Sequence, residues 1–296
     1  MVADVVDQLT NLNVWQRGDE RAPHKPLLLL YAIAQYLRGH DRLIPFREVD
    51  GPLRQLLIDF GPARTAYHPE LPFWHLQSDG VWELNGLCKP DGRVGSTSIK
   101  KSLLVRNDVH GGLTLPLYQA VQDPKVASRV IEALLTNTFP ETYHDDILVA
   151  LALDPGCTVT RTRRDPAFRE IILRAYEFRC AVCGFSSRVG QVLVGVEAAH
   201  IKWHQAGGPD KNENGVALCS LHHKLFDRGL FTITPDMRVL VSECATGSAI
   251  FKHLVLDFHG RDLSHPVRTE YAPLEAFLEW HVAEVFHPPG RELRAG

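Results

Sequence analysis

The sequence lacks the long apolar runs of membrane proteins. No stretch of eighteen consecutive apolar residues occurs in its 296 residues, so a transmembrane helix is not expected. Its first fifteen residues, MVADVVDQLTNLNVW, contain two aspartates and no basic group ahead of an apolar run, which argues against a secretory signal peptide. Internal repeats, heptad runs and low-complexity tracts are missing too. We therefore expect a cytoplasmic protein with ordinary globular domains.

A large net charge is also missing. The chain has 32 Lys and Arg against 35 Asp and Glu, a formal charge of −3, so its overall charge does not indicate a nucleic-acid partner. Any such partner must be bound by local basic patches. The densest basic stretch contains Arg161, Arg163 and Arg164. The helix predicted after it, over residues 167–178, carries further arginines that could lie along a DNA backbone.

The length and the hydrophobic content predict two domains. A chain of 296 residues that is 45% hydrophobic is long enough for two separate cores. The stretch DPGCTVT, which begins at Asp154, has the composition of a connector. We predict an N-terminal domain over residues 1–153, a linker over residues 154–165 and a C-terminal domain with an extension over residues 166–296.

The cysteines favour metal ligation over disulfides. Six cysteines permit disulfides, but in a cytoplasmic chain a CxxC followed by a CxxH is typical of a zinc site, because each short turn brings two donors to one side. Such a zinc contributes on the order of 10 kcal/mol to folding in small domains. The predicted structural zinc ligands are Cys180, Cys183, Cys219 and His222. The other cysteines, Cys88, Cys157 and Cys244, are interpreted as small hydrophobic residues.

The N-terminal half has mostly helical patterns. Apolar spacing predicts helices near residues 5–12, 52–59, 124–135 and 143–152, and a buried helix with Pro26 in its first turn. His24 and Lys25 would lie at the start of that helix, where free N–H groups and the helix dipole favour a phosphate. The alternative interpretation of these two residues is a solvated helix start.

Two short aromatic runs predict a β-hairpin in the same half. Residues 73–77 and 81–84 are joined by Ser78-Asp79-Gly80, a turn typical of hairpins. His68 and His75 lie next to these aromatic residues. Together they would line a binding surface, or the aromatic rings would simply pack within the hairpin.

The C-terminal half contains the pattern of a second, catalytic metal site. Residues 191–201 are rich in β-forming residues and end near His200, a Gly- and Asn-rich loop holds Asn214, and residues 219–227 predict a short helix with His223. Two imidazoles and a carboxamide brought together in this way can hold a divalent ion. Consecutive residues on a helix project about 100° apart, so His222 can serve the zinc while His223 serves the second ion.

These residues resemble the HNH endonuclease family, which has the ββα-metal fold, and in particular its zinc-containing branch. The matching motifs are AAHI around His200, NGVALC around Asn214 and HHKLFDRG around His223. The resemblance implies that His200 is the general base that activates water, that Asn214 orients the base loop or the metal, and that His223 ligates a catalytic Mn²⁺, Mg²⁺ or similar ion. It also implies metal-dependent hydrolysis of phosphodiester bonds.

One position departs from the family pattern. Many family members have an aspartate as a metal ligand directly before the first histidine, and Ala199 stands there in this sequence. Glu197 lies two residues earlier on the same strand face and is the substitute candidate. Asp227 is a second candidate.

The N-terminal half resembles the sulfur-binding domain of McrA-type restriction endonucleases, which precedes an HNH domain in that family. The resemblance runs through HKPLLLLYAI and HPELPFWHLQSDGVWEL. It implies a shallow apolar pocket for the sulfur of a DNA phosphorothioate, beside basic residues that contact phosphates; the family often has an aromatic residue where Leu71 stands. The pocket candidates are Leu71, Pro72, His75 and Pro69, and the phosphate candidates are His24, Lys25, Arg17 and Arg64.

Together these features predict an α+β fold, with an N-terminal helical domain that includes a small β-hairpin or sheet and a C-terminal zinc-containing ββα-metal domain. The predicted function is a type IV, modification-dependent restriction endonuclease acting on phosphorothioate-modified duplex DNA. One alternative is an HNH nuclease that reads methylated or otherwise modified bases. Another is a modified-DNA binding protein with an inactive nuclease domain. Since HNH sites nick one strand at a time, a homodimer is expected for double-strand breaks.

Overall fold

Two units make up the computed structural model, which describes residues 2–13, 22–86, 99–153 and 166–293. The first unit is Met1–Thr160 and the second is Arg161–Gly296. The predicted linker, residues 154–165, lies outside the described residues, so its limits stay a prediction. Arg161, Arg163 and Arg164 lie outside them as well.

Helices dominate the first unit and surround a small antiparallel sheet of order β1-β3-β2. The helices are α1 (Val2–Thr10), α2 (His24–Leu37), α3 (Phe46–Phe60), α4 (Glu70–His75), α5 (Lys101–Arg106), α6 (Leu115–Val121), α7 (Pro124–Thr138) and α8 (Glu141–Ala150). The strands are β1 (Ile44–Pro45), β2 (Trp82–Asn85) and β3 (His110–Leu113). The predicted α+β class and the predicted helices of this half are confirmed, although α3 begins earlier than expected, directly after Pro45.

Helix α2 is the centre of the first unit. Its residues from Pro26 to Ala34 are all buried, as expected for a helix that is apolar on every side. Helices α3, α4 and α7 pack around it. At its end the Tyr36 hydroxyl donates a hydrogen bond to the Arg42 carbonyl and accepts one from the Leu113 N–H, both at 3.0 Å. The buried helix is thereby tied to the sheet.

The predicted hairpin over residues 73–84 is wrong. The first aromatic run forms α4 and a following 3-10 helix, Leu76–Asp79, in which Phe73 and Leu76 are fully buried at helical spacing. Gly80, with φ 73°, ends this helical segment, because a left-handed glycine caps a helix as readily as it closes a turn. Strand β2 pairs instead with β3, whose His110-Gly-Gly-Leu113 sequence has little strand propensity.

The second unit is built on short antiparallel pairs. Its helices are α9 (Pro166–Ala175), α10 (Ser220–Asp227), α11 (Ala249–Leu254) and α12 (Glu275–Glu284). Its strands are β4 (Ser187–Val189), β5 (Val192–Val194), β6 (Val196–His200), β7 (Gly215–Cys219), β8 (Phe231–Ile233) and β9 (Val239–Val241). They pair as β4-β5, β6-β7 and β8-β9. The predicted β-rich segment is therefore two strands, which Gly195 separates with φ 77°.

The C-terminal extension is part of the core of this unit. His281 of α12 is fully buried and stacks on Phe226 of α10 with ring centroids 3.7 Å apart. Its Nδ1 lies 2.8 Å from the Thr232 hydroxyl and its Nε2 lies 3.1 Å from the Phe226 carbonyl. Helix α12 thus supports both α10 and β8.

Among the described residues, no helix combines the length and the apolar character that crossing a membrane requires.

Gly112 is expected to be indispensable to the first unit. A Cβ there would lie 1.8 Å from the backbone oxygen of Arg42, so Gly112→Ala should lower the free energy of unfolding by about 2 kcal/mol or more through overpacking. Gly51, inside α3, has open space around its would-be Cβ apart from its chain neighbours. Since the gain in helix propensity is opposed by the restriction that Pro52 places on the residue before it, Gly51→Ala should change that free energy by no more than about 0.5–1 kcal/mol. Urea titration of both variants tests the pair; equal stability of Gly112→Ala and wild type would contradict the close approach.

Candidate functional site

Four side chains converge in the second unit as a metal-binding group. The ligand atoms of Cys180, Cys183, Cys219 and His222 all lie within 4.8 Å of one another. His222 Nδ1 is 3.1 Å from Cys219 Sγ and 3.5 Å from Cys180 Sγ, and the sulfurs of Cys183 and Cys219 are 4.0 Å apart. Zinc bonds of about 2.3 Å to sulfur and 2.0–2.1 Å to nitrogen in a tetrahedron require ligand separations close to these. The donor set and its spacing therefore fit zinc.

Local backbone structure places these ligands. The Cys180 carbonyl accepts a hydrogen bond from Gly184, whose φ of 71° closes the knuckle. The N–H of Ala181, between the two knuckle cysteines, donates to Ala217 of β7 at 2.8 Å. Cys219 ends β7 and directly precedes α10, which carries His222 in its first turn. The end of β7 and the start of α10 thus place Cys219 and His222 beside the Cys180 and Cys183 pair.

A backbone carbonyl fixes the orientation of His222. Its Nε2 lies 2.9 Å from the Leu254 carbonyl at the end of α11, so Nε2 carries a hydrogen, and Nδ1 is the nitrogen that a metal would bind in place of a proton. Such a hydrogen bond to the second ring nitrogen is usual for metal-ligating histidines. Leu254 was not identified from the sequence, because it acts through its backbone carbonyl, a group that every residue has.

The thiols also perturb each other. Hydrogen bonds from Cys180 and Cys183 hold the pKa of Cys219 far below its usual value, while the hydrogen bonds that Cys180 makes with Cys183 and Cys219 raise its own pKa. Burial opposes the charged form of His222, but its contacts with Cys183 and Cys219 raise its pKa to about 10. The crowded sulfurs thus resist carrying more than one negative charge. A divalent cation bound between them would neutralise the charge of the thiolates.

The β6–β7 pair carries the second cluster of polar residues. His200 pairs with Gly215, and Glu197 pairs with Leu218. Since successive residues of a strand face opposite sides, Glu197 and Ala199 point to one face and His200 to the other. Helix α10 contacts the face with Glu197, and α9 contacts the face with His200.

Glu197 and His223 are brought into direct contact. Glu197 Oε2 lies 2.6 Å from His223 Nδ1, and Glu197 Oε1 accepts a hydrogen bond from the Ser220 hydroxyl at 2.7 Å. His223 Nε2 in turn lies 3.3 Å from Asp227 Oδ2, one turn along α10, and both side chains are almost fully buried. Both carboxylate candidates therefore contact the predicted metal ligand. Among the described residues, however, three or more ligand atoms lie within 4.8 Å of one another only in the Cys/His group.

His200 lies in a different set of contacts. Its ring stacks on Phe168 of α9, with centroids 4.2 Å apart and 13° between the planes. A Cβ on Gly215, its partner in β7, would lie 2.4 Å from the Ile172 side chain, so glycine allows α9 to pack beneath His200. The Nε2 of His200 is 2.7 Å from Asp210 Oδ1. Phe168 and Asp210 were both missed in the sequence, because their positions carry no motif.

Asn214 is fully buried and holds the loop that follows β6. Its Oδ1 accepts from the Lys202 N–H at 2.8 Å, and its Nδ2 donates to the carbonyls of Lys202 and Pro209 at 2.9 and 3.0 Å. Gly208 is required inside this loop, since a Cβ there would lie 1.9 Å from the Lys202 oxygen. The side chain of Asn214 thus makes contacts that orient the loop.

The four pocket candidates of the first unit differ in exposure. Leu71 and His75 are half-buried and lie one turn apart on α4, whereas Pro69 and Pro72 are buried. Only the leucine and the histidine therefore present a shared, partly accessible face.

The predicted phosphate-binding residues differ in their exposure and in their contacts. His24 begins α2 and is half-buried, and Arg64 is exposed. The ammonium of Lys25 is 2.5 Å from Asp79 and 2.6 Å from the Asn13 carbonyl, and the Asp79 side chain is 1% exposed. Asp79 thus neutralises much of the charge predicted for phosphate binding. Arg17 lies outside the described residues.

Comparisons with known proteins match both units. Residues 2–155 match the family model of the ScoMcrA-like DNA sulfur-binding domain, and residues 180–234 match that of the HNH endonuclease. The second match includes the Cys/His group as well as His200, Asn214 and His223. A search of curated proteins found no match.

Solved structures that match part of the chain include two sulfur-binding domains. That of SprMcrA complexed with phosphorothioated DNA is 25% identical, with a TM-score of 0.42 over 52% of this chain and 94% of that one. That of ScoMcrA complexed with phosphorothioated DNA is 22% identical, with a TM-score of 0.40 over 49% and 96%. The modification-dependent TagI restriction endonuclease is 24% identical, with a TM-score of 0.30 over 45% of this chain and 41% of that one.

The Cys/His group is expected to hold one zinc ion per chain that stabilises the second unit. Elemental analysis of the purified protein should find this zinc, and Cys180→Ala should lose it and lower the unfolding temperature of the second unit, because zinc ligation in small domains contributes on the order of 10 kcal/mol. Cys244→Ala is the matched control, since Cys244 is exposed and outside the group. Full zinc content in Cys180→Ala would rule out this ligand set.

Proposed function

Since the chain belongs to the family with the ScoMcrA-like DNA sulfur-binding domain, we propose that it is a modification-dependent, type IV restriction endonuclease that binds phosphorothioate-modified duplex DNA. The proposed reaction is hydrolysis of phosphodiester bonds near the modification by its HNH endonuclease domain. The observation that carries this proposal is the presence of both domains in one chain, over residues 2–155 and 180–234. The first would select the DNA and the second would cut it.

Selection of sulfur has a simple physical basis. Sulfur is larger, more polarisable and less strongly hydrated than the phosphate oxygen it replaces, so a partly apolar surface prefers it. A pocket difference of this kind contributes roughly 1–3 kcal/mol, by analogy with other small apolar discriminations. Leu71 and His75 are the accessible members of the candidate pocket, and the two buried prolines hold the α4 backbone beneath them. Contacts to phosphates and base edges must add the rest of the affinity.

Few basic side chains are proposed to contact the DNA phosphates. His24 lies at the N-terminus of the fourteen-residue helix α2, where backbone N–H groups favour an anion. Arg64 is exposed on the loop before α4. Arg17 is kept as a candidate from the sequence. Lys25 contributes less than the sequence suggested, because Asp79 pairs with it.

The hydrolytic step is assigned to His200. Its imidazole accepts a proton from water, the water oxygen forms a bond to phosphorus, and the bond between phosphorus and the 3′ oxygen breaks. The leaving oxygen then takes a proton from solvent. Asn214 supports this step through the loop contacts described above.

The residues beside α10 suit a divalent ion. His223 and Glu197 offer an imidazole and a carboxylate in direct contact, while Asp227 lies at the other nitrogen of the His223 ring. A Mn²⁺ or Mg²⁺ ion bound there would stabilise the charge that develops on the phosphate oxygens. Glu197 is the proposed replacement for the missing aspartate, and its hydrogen bond from Ser220 orients it towards α10.

The assembly and the location follow from the substrate. One HNH site per chain cuts one strand at a time, so we propose that two protomers act together when both strands are cut. Cellular DNA as the substrate fits the cytoplasmic location that the sequence predicts.

Cleavage should depend on a single sulfur atom. With Mn²⁺ or Mg²⁺, the purified protein should cut a duplex that contains one phosphorothioate and leave the same duplex intact without it. His200→Ala should lower the cleavage rate by about 10²–10⁴-fold, the contribution typical of a general base, with binding of the modified duplex unchanged. His265→Ala, an exposed histidine of the same unit, should cut like wild type.

The outcomes of this assay separate the alternatives. Equal cleavage of both duplexes would sink the proposed selectivity, and preference for a methylated duplex would favour a base modification as the mark. Modified-DNA binding without cleavage by the wild type would make the chain a binding protein with an inactive nuclease domain. Concerted cleavage of both strands by a protein that stays monomeric in solution and on the duplex would contradict the paired protomers.

Truncation of the pocket should reduce discrimination rather than general DNA affinity. Leu71→Ala is expected to lower the affinity ratio between modified and unmodified duplexes by about 10-fold, part of the roughly 1–3 kcal/mol available to the sulfur contact. Leu115→Ala is the matched control, because Leu115 is a leucine of the same unit that is 50% exposed. Competition binding with the two duplexes measures the ratio. Unchanged discrimination in Leu71→Ala would place the pocket elsewhere.

A further inference from the structure

Asp210 forms a carboxylate–imidazole pair with the proposed general base. Its Oδ1 lies 2.7 Å from His200 Nε2, and the two side chains are 35% and 13% exposed. Asp210 comes from the loop after β6, ten residues along the chain. An ionised carboxylate only accepts hydrogen bonds, so this contact places the ring hydrogen on Nε2.

The other contacts of His200 leave the ring little freedom. Phe168 lies almost parallel to it and fixes the plane of the imidazole. Asp210 then fixes the rotation of the ring within that plane, because a hydrogen bond to Nε2 is directional. Ring plane and ring rotation are thus set by different elements, helix α9 and the loop after β6.

Asn214 connects to the same pair through the backbone. Its Nδ2 donates to the carbonyl of Pro209, the residue directly before Asp210, and its two other hydrogen bonds hold Lys202 at the start of the loop. Gly207, with φ 77°, and Gly208 allow the tight return of the chain. A buried carboxamide therefore sets where the Asp210 carboxylate meets His200.

We propose that Asp210 is a positioning residue for hydrolysis: it holds His200 as the Nε2–H tautomer, in which Nδ1 is the basic nitrogen that takes the proton from water. The catalytic part of this inference rests on the proposed function. When Nδ1 takes that proton the ring becomes an imidazolium, and the Asp210 carboxylate stabilises the positive charge without accepting the proton itself. The same division of work is known from carboxylate–histidine pairs in other hydrolases.

The first experiment reads the tautomer without any substrate. In ¹⁵N-histidine-labelled protein, NMR of the ring nitrogens should show His200 as the Nε2–H form in the wild type, assigned by the loss of its signals in His200→Ala. Asp210→Ala should move the population towards a mixture of the two neutral forms. Asp236→Asn is the matched control, since Asp236 is an exposed aspartate of the same unit that pairs with Arg238, and it should leave the signals unchanged. An unaltered His200 tautomer in Asp210→Ala would overturn the proposal.

The second experiment reads catalysis. Asp210→Ala should lower kcat by about 10- to 100-fold, a part of the roughly 10²–10⁴-fold that a general base contributes, with KM and zinc content unchanged. Asp210→Asn should not recover the rate, because its amide can donate to Nε2 and favour the Nδ1–H tautomer, whereas Asp210→Glu, which keeps a carboxylate, should recover part of it. A shifted tautomer with an unchanged kcat would overturn the catalytic role.

Nicking of supercoiled plasmid and cleavage of the phosphorothioate duplex are both measured, so that the two proposals fail separately. If the wild type cuts both substrates equally well, the proposed selectivity fails while the Asp210 comparison still stands. If the wild type cuts neither, the hydrolytic function and the role of Asp210 in it both fail.

Discussion

The antiparallel pairing of β6 with β7 is the constraint on which the second unit depends. Five residue pairs join the strands, from Val196 with Cys219 at one end to His200 with Gly215 at the other. The predicted zinc ligand Cys219 and the proposed base His200 therefore lie at opposite ends of one strand pair. A register shift of a single residue would turn both side chains to the wrong face. The Cys/His group and the proposed base are thus linked through the register of a single strand pair.

The two faces of this ribbon divide the proposed chemistry. Helix α9 supplies Phe168 beneath His200, and α10 supplies His223 and Ser220 beside Glu197. Helix α10 is itself buried against α12 through the stack of Phe226 on His281. The C-terminal extension, which lies beyond residues 180–234 of the HNH match, therefore helps to hold the helix that carries His222 and His223. It is a structural part of the site.

In the first unit, a buried ion pair joins two segments of the chain. The nearly buried Asp79 binds both the Lys25 ammonium and the Asn13 N–H. Loss of one partner would leave a buried charge without compensation, which costs more than the pair contributes when intact. Lys25 therefore connects the segment after α1 to the segment after α4. Because Asp79 pairs with Lys25, the half-buried Leu71 and His75 become more important to the proposed recognition.

Much of the site could be predicted from local sequence. The predicted zinc group depends on two ligand pairs with short spacings, and five helices of the first unit follow from their apolar periodicity, whereas α4, α5 and α6 were not predicted. The HNH motifs also placed Glu197 beside His223, because residues two apart on a strand share a face. The hairpin over residues 73–84 failed, because Gly80 serves equally as a turn residue and as a helix cap, and the true partner of β2 is the glycine-rich β3.

The sequence by itself was enough to predict two domains, the zinc ligands and the three motif residues, since each prediction depends on residue type and short spacing. Only the tertiary structure decided which groups orient those residues: the Leu254 carbonyl on His222, Phe168 and Asp210 on His200, and Asp79 on Lys25. These partners lie between ten and 54 residues away from the groups they orient. Packing brings them together, and neither a repeating pattern nor a motif in the chain marks such a contact.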